Sequence, residues 1–269
     1  MKDLHSPEGR PPHLPALDDL DLSRRDHHVI SLVDRFRTMS GAQLRELCWP
    51  EGPPETRARL ARRRLAKLAT KGLLEPLERR VGGVRAGSAG YCFSLGAEAQ
   101  RRLRSGRARR PVAPGARHLA HTLAVAQLFT DLTLTERWGV TALLAFDPEP
   151  ECWRYYPGLY GVTESLRPDA FVRLAHGEYE DSWLVEIDRA TVGGRTLAAK
   201  AQRYVDCFQS GAVQASEEIF PKTLWIVPNG HRAKTLAAIL GDLPREHRRL
   251  FEVVTADKAV GLLASGEPS

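Results

Sequence analysis

Apolar residues recur at helical spacing three times within the first hundred positions. Val29, Ile30, Val33 and Phe36 share one face of a helix that opens at Ser23, where Asp26 three positions on forms an approximate capping box. A second, shorter helix starts at Ser40, with Gln43 as the reciprocal cap and Leu44 and Leu47 facing inward. Residues 49–54 (WPEGPP) cannot continue a helix and form a turn. The third helix, residues 55–74 (ETRARLARRRLAKLATKGLL), carries Ala58, Ala61, Leu65 and Leu68 as its apolar stripe, with Gly72 as its C-terminal cap.

The period then changes. Residues 73–80 and 90–95 read as two strands around a Gly-rich tip that bears Arg85, and a short helix follows over 97–104. Three short helices followed by a hairpin are the element order of a winged helix-turn-helix. Beyond residue 116 helix and strand alternate: a helix over 117–136, strands at 140–146, 167–174 and 182–188, a helix over 196–208, a strand at 223–227, a helix over 231–240, a strand at 251–255 and a last short helix. That order predicts an α/β domain with a mixed central sheet. The expected layout is a flexible, Pro- and charge-rich tail over 1–22, a winged helix over 23–104, a basic linker over 105–116 and an α/β domain over 117–265.

Composition narrows the class of protein. The 269 residues are 42% hydrophobic and 27% charged, the balance of a globular chain. No window reaches the 18 or so apolar residues that a membrane span needs, and the N-terminus lacks the apolar core of a signal peptide, so a cytoplasmic protein is expected. Cys48, Cys92, Cys152 and Cys207 stand too far apart for a zinc finger and read as reduced packing residues.

Charge is divided unequally. The net charge is +6, yet residues 55–110 hold sixteen Lys and Arg against four Glu, a local +12 that leaves −6 for the rest. On the third helix Arg59, Arg63 and Lys67 fall on one line opposite the apolar stripe, flanked by Arg62 and Thr70, and no acid follows Glu55 to pair with them. In a helix-turn-helix this second helix of the pair enters the major groove of double-stranded DNA, where arginine bonds guanine bidentately. Arg79, Arg80 and Arg85 on the wing would then meet the backbone or minor groove. Arg57 and Arg64, nearer the apolar edge, would reach phosphates or acidic neighbours. With six to eight such contacts, affinity would fall by roughly 10³–10⁵-fold from low to moderate salt.

The second domain holds a separate set of candidates. Glu186 and Asp188 alternate onto one face of their strand with Leu184, Asp169 stands at the mouth of the preceding strand, and Lys200 and Tyr204 are one helical turn apart. Carboxylates on adjacent strands beside a lysine suit Mg²⁺ and the activation of water against a phosphodiester.

These residues carry a resemblance. Pro168-Asp169, Glu186-x-Asp188 and Lys200-x-x-x-Tyr204 resemble the pattern of the PD-(D/E)xK nuclease superfamily. They are also similar, together with the histidine-bearing stretch Arg117-His118-Leu119-Ala120-His121, to the replication-relaxation proteins of actinobacterial plasmids and mobile elements, over about residues 23–255. The resemblance implies a winged helix joined to a nuclease-like domain, a role in replication, relaxation or its regulation, and replication or mobilisation proteins or a second copy of the chain as partners. It implies Asp169 and Glu186 as metal-binding carboxylates for Mg²⁺. One departure stands out: where the superfamily has lysine two positions after the Glu, this chain has Asp188. Lys200 would then supply the cation as a migrated lysine, or occupy the glutamine position of a QxxxY element. Asp188 would serve as a third metal ligand or pair with Lys200 or Arg189. Three readings stay open: a DNA-binding regulator with a retired nuclease fold, a Mg²⁺-dependent endonuclease using Asp169, Glu186, Asp188, Lys200 and Tyr204, and a protein-only adaptor in which both domains contact other proteins.

Other candidates read as structural. His118 and His121 lack a third ligand at metal spacing, Glu149 and Glu151 flank Pro150 in a polar loop, and Trp153, Tyr155, Tyr156 and Tyr160 suit packing against a sheet more than base stacking. No phosphate-binding glycine loop occurs in the chain.

Overall fold

A computed structural model describes residues 13–77, 91–104, 115–158 and 161–266. The chain divides into two compact units, Met1–Thr130 and Asp131–Ser269. Arg79, Arg80 and Arg85, the segment 105–114 and Tyr160 lie outside the described residues.

The first unit is built on α1 (Arg24–Phe36), β1 (Met39–Ser40), α2 (Gly41–Cys48), α3 (Pro54–Thr70), β2 (Leu74–Leu77), β3 (Cys92–Leu95) and α4 (Ala97–Leu103). Both capping boxes form, Ser23 with Asp26 and Ser40 with Gln43, each closing two backbone N–H groups that a helix start leaves open. Val29, Ile30, Val33, Phe36, Leu44, Leu47, Ala61, Leu65 and Leu68 are buried, the stripes that the periodicity selects.

α3 ends at Thr70, four residues before the pattern suggests. Gly72 turns left-handed at φ 68, and Leu73 N–H returns to the Leu68 carbonyl at 3.0 Å, so the chain leaves as strand. Gly96 packs against this corner, where a Cβ would lie 2.1 Å from the Gly72 oxygen; only glycine fits. β2 and β3 pair antiparallel, and β1, too short to show in the pattern, adds a third strand through Met39↔Phe93 and Ser40↔Cys92.

Two boundaries differ from the sequence reading. Within the segment read as a flexible tail, residues 13–22 are docked: Pro15–Leu17 forms a 3-10 turn, Leu17 is fully buried and Arg102 pairs with Asp19. A buried leucine, a preset proline φ and a few polar contacts hold a segment whose composition looks disordered. The units divide inside α5 (Ala116–Arg137) rather than across 105–116. Gln43 Nε2 donates to the Leu123 carbonyl at 2.8 Å, and Leu119 packs with Leu77 and Cys92, so residues 117–130 group with the first unit.

The second unit contains β4 (Ala142–Pro148), β5 (Arg154–Pro157), β6 (Thr163–Leu166), β7 (Ala170–His176), β8 (Tyr179–Ile187), α6 (Gly194–Ser210), α7 (Ala212–Glu217), β9 (Lys222–Val227), α8 (Gly230–Gly241), α9 (Arg245–Arg248), β10 (Phe251–Thr255) and α10 (Ala256–Ser265). Its sheet has the order β10-β9-β8-β7-β4, with β8, β9 and β10 parallel and β7 and β4 antiparallel to their neighbours. The expected mixed α/β class with a mixed central sheet is what the structure shows. Leu184, Trp225, Val227 and Phe251 pack against Leu197, Ala201 and Tyr204 of α6 and Leu236 and Leu240 of α8. α10 packs against β7, β9 and β10, and none of its residues joins that cluster. The aromatic run becomes a two-stranded ribbon, β5 with β6, in which Tyr156 is buried and Tyr155 exposed. All four cysteines are buried and none forms a disulfide with a described residue, and no described helix is long and apolar enough to cross a membrane.

Candidate nucleic-acid face and a buried carboxylate cluster

The packing of α3 decides which of its cations are available. Burial of Ala61, Leu65 and Leu68 turns Arg59, Arg62, Arg63, Lys67 and Thr70 outward, and all five are exposed. Arg57 and Arg64, at the edges of the stripe, are consumed internally. Arg57 pairs with Glu46 and donates from Nε to the Trp49 carbonyl at 2.6 Å, while Arg64 grips Asp26 through Nε and NH2. Arg59, Arg62, Arg63 and Lys67 form no ion pair with a described residue; Arg62 Nε reaches only the Ala58 carbonyl of its own helix, at 3.3 Å.

The second unit gathers Asp169, Glu186, Lys200 and Tyr204. Asp169 precedes β7; its N–H donates to the Val185 carbonyl at 2.9 Å and its Oδ2 accepts the Ile187 N–H at 2.7 Å, which fixes it beside β8. Glu186, 2% exposed, points from β8 toward α6. There Lys200 Nζ donates to its Oε2 and the Tyr204 hydroxyl to its Oε1, so both carboxylate oxygens are engaged. Burial pushes Glu186 up to about 7; Lys200 pulls it back and Asp169 adds to the rise. Burial opposes the charge on Lys200, yet Glu186 and Asp169 outweigh it and hold its pKa above the ordinary lysine value. Burial also drives the Tyr204 phenol well upward. The group titrates as a unit in which Lys200 keeps its proton most firmly when Glu186 is ionised.

Asp188 takes a different path. It lies on the same face as Glu186, but its carboxylate is bound by Arg232 of α8, Nε to Oδ2 and NH2 to Oδ1, the latter at 3.1 Å. The sequence reading offers Lys200 or Arg189 as its ion-pair partner, and Arg232 escapes it. The signal lies in topology: in parallel β-α-β units the residues after one strand meet the helix start after its neighbour, so the end of β8 faces the start of α8.

Residues 30–223 match the sequence profile of the family described as Replication-relaxation. The chain belongs to this family. The matched span takes in the exposed row of α3 and Asp169, Glu186, Lys200 and Tyr204, and ends before Arg232. None of the curated proteins matches. Among solved structures, restriction endonuclease FokI aligns at 9% identity and a TM-score of 0.26, over 89% of this chain and 45% of that one. The chain therefore spans less than half the length of FokI, and a superposition so loose carries no argument.

For this replication-relaxation protein the metal implied by the nuclease resemblance can be tested against the side chains. Mg²⁺ binds oxygen ligands and keeps several waters. Here Glu186 has both oxygens committed and is closed off from water, and Asp188 is neutralised by Arg232. Asp169, Glu186 and Asp188 do not bring three ligand atoms within 4.8 Å of one another, so a Mg²⁺ centre built on all three carboxylates does not fit. The one group among the described residues that meets that spacing is His13, Asp18 and His27 in the first unit. There the Leu14 N–H donates to His27 Nδ1 at 3.2 Å and His13 pairs with Asp18 at 2.8 Å, contacts that dock residues 13–18 onto α1. A metal-bound imidazole offers its other nitrogen as a donor, the reverse of what Leu14 meets.

Proposed function

We propose that this protein binds double-stranded DNA through α3 and acts in the replication or relaxation of a plasmid or mobile element, or in the regulation of that process. The observation that carries the reading is the row Arg59, Arg62, Arg63 and Lys67: exposed, in no ion pair with a described residue, and turned away from the buried Ala61, Leu65 and Leu68. Cations that a fold neither buries nor pairs are available to a polyanion, and a helix carrying them is the shape that the major groove admits. α1 to α3 followed by β2 and β3 supports treating the first unit as a winged helix whose third helix reads the groove. The family supports DNA and replication proteins as the partner classes.

Fluorescence anisotropy with a labelled duplex tests it. Arg59→Ala with Arg63→Ala should weaken binding by about 30–100-fold at low salt and lower the slope of log K against log salt by about two. Unchanged affinity and slope in the folded variant would remove α3 from the interface.

A second reading, a Mg²⁺-dependent endonuclease, draws on the adjacency of Asp169, Glu186 and Lys200. It requires Glu186 to give up partners that it now holds on both oxygens. Supercoiled plasmid incubated with Mg²⁺, Mn²⁺ or EDTA separates the readings. Nicking that needs metal and vanishes in Glu186→Ala supports the endonuclease; a gel shift with intact plasmid under every condition supports the binder.

A further inference from the structure

The connection between β8 and α6, residues 188–193, is short, exposed over 189–193 and rich in small residues. Ala190 adopts φ 54, a conformation that side chains rarely take unless neighbouring contacts impose it. Those contacts are present. The Asp188 N–H donates to the Ile226 carbonyl of β9 at 2.9 Å, and Asp188 Oδ1 accepts the Ala190 N–H at 3.1 Å. Arg232 binds both oxygens of that carboxylate, and its NH2 also donates to the Val192 carbonyl at 2.9 Å, so one guanidinium ties both ends of the turn. Arg232 is itself held in place, because the Asn229 side chain caps α8 by accepting the Arg232 N–H at 3.0 Å. The ion pair is well enclosed, with the Asp188 side chain 4% and that of Arg232 13% exposed. Gly193 follows directly as the N-cap of α6, the helix that carries Lys200 and Tyr204 onto Glu186.

We propose that Arg232 is a positioning residue: by clamping Asp188 and the Val192 carbonyl it fixes the β8–α6 connection and so sets where Lys200 and Tyr204 meet Glu186. Two features make the clamp specific. The guanidinium fork is planar and rigid, so it holds both oxygens of the carboxylate and the carbonyl in one fixed geometry, whereas an ammonium meets them as a point charge on a flexible stem. α6 is a continuous 17-residue helix, and a helix transmits a displacement at its first turn to residues one or two turns on. The position that the nuclease pattern gives to a lysine is thereby used to anchor the helix from which Lys200 reaches the cluster. The inference rests on contacts within the second unit and holds whether or not α3 binds DNA.

The test follows the Tyr204 hydroxyl proton, buried against the Glu186 carboxylate, by proton NMR, with Tyr204→Phe to assign it. In the full chain this proton should be shifted downfield and slow to exchange. Arg232→Ala should move it upfield and speed its exchange by at least about 10-fold. Arg232→Lys, which keeps the charge but not the fork, should give an intermediate result and covers the case in which the alanine variant does not fold. Arg154→Ala, which breaks the Arg154–Glu217 pair elsewhere in the same unit, should leave the resonance in place and controls for general loosening. A Tyr204 resonance with wild-type position and exchange in a folded Arg232 variant would overturn the proposal. So would an equal response to Arg154→Ala.

Discussion

Two carboxylates in this protein, Asp26 in the first unit and Glu186 in the second, are buried with nearly the same partners and pushed in opposite directions. Asp26, its side chain fully enclosed, is held by the Arg64 guanidinium and the Ser23 hydroxyl; Glu186 is held by the Lys200 ammonium and the Tyr204 hydroxyl. Burial raises both. For Asp26 two bonds from Arg64, the Ser23 hydroxyl and the Ser23 N–H overcome that rise, and its pKa falls below the ordinary value. For Glu186 a single ammonium and one phenol do not, and Asp169 adds a like charge, so its pKa climbs to about 7. A buried acid stays ionised when the hydrogen bonds and opposite charge around it outweigh its desolvation, and a neighbouring carboxylate tips the balance the other way. Asp26 is thus a fixed anion that joins α1 to α3. Glu186 is an acid that can take or release a proton near neutrality.

The contrast is most exposed by removing each cation. Arg64→Ala should cost about 3–5 kcal/mol at any pH between 5.5 and 8.5, because it leaves Asp26 charged and enclosed. Lys200→Met should cost about 1 kcal/mol or less at pH 5.5, where Glu186 can hold a proton instead, and progressively more above pH 8. Urea unfolding of the two variants at both pH values measures the difference. Equal, pH-independent costs would mean that the two carboxylates are alike after all.

That contrast was only half legible in the chain. Ser23 and Asp26 lie three residues apart, so their capping box is a local pattern, and the place of Arg64 at the edge of an apolar stripe suits either a phosphate or an acidic neighbour. Alternation predicts the strand Val185-Glu186-Ile187-Asp188 and turn spacing the helix with Lys200 and Tyr204, and the structure brings Asp169, Glu186, Lys200 and Tyr204 together. Nothing local, however, says how deeply Glu186 is buried or that Asp188 faces a residue 44 positions on. Those facts depend on which helix covers which strand, and periodicity is silent on that. The same holds for residues 13–22, whose composition suggests a free tail while a buried leucine and contacts to His27 and Arg102 dock them, and for β1, whose two residues become a strand only because β3 runs beside them.

A pH series sharpens the comparison next. Glu186 has a folded pKa of about 7 against an ordinary 4.5, so between those values the folded state holds a proton that the unfolded chain has released. Stability contributed by this group is complete below about pH 4.5 and is lost as pH rises through 7, by about 3 kcal/mol in all. Asp26 has the opposite sign: its folded pKa lies below the ordinary 3.8, so its contribution is present above that value and lost as pH falls through the lower one. Unfolding free energies from pH 5 to 8 should therefore fall in the wild type relative to Glu186→Gln, while His27, whose pKa burial lowers, adds the same opposite slope to both. Asp26→Asn should keep the decline. A wild type and a Glu186→Gln variant with parallel profiles would place the titration elsewhere.

The smallest effect isolates the like charge. Asparagine at position 169 can still accept the Ile187 N–H through its side-chain oxygen, so Asp169→Asn removes the charge while leaving the contact that holds the residue beside β8. Glu186 should then titrate lower by about half a unit to one unit, a change worth about 0.7–1.4 kcal/mol, and still above 4.5. It stops short of the ordinary value because burial, not Asp169, is the largest cause of the rise. Carbon-13 NMR of the glutamate carboxyls, with Glu186→Gln for assignment, reads the shift directly. A fall all the way to the ordinary range would make repulsion the dominant cause and burial the lesser one. No change at all would mean that Lys200 already cancels the Asp169 charge, and the difference between the two clusters would then come down to the number of donors alone.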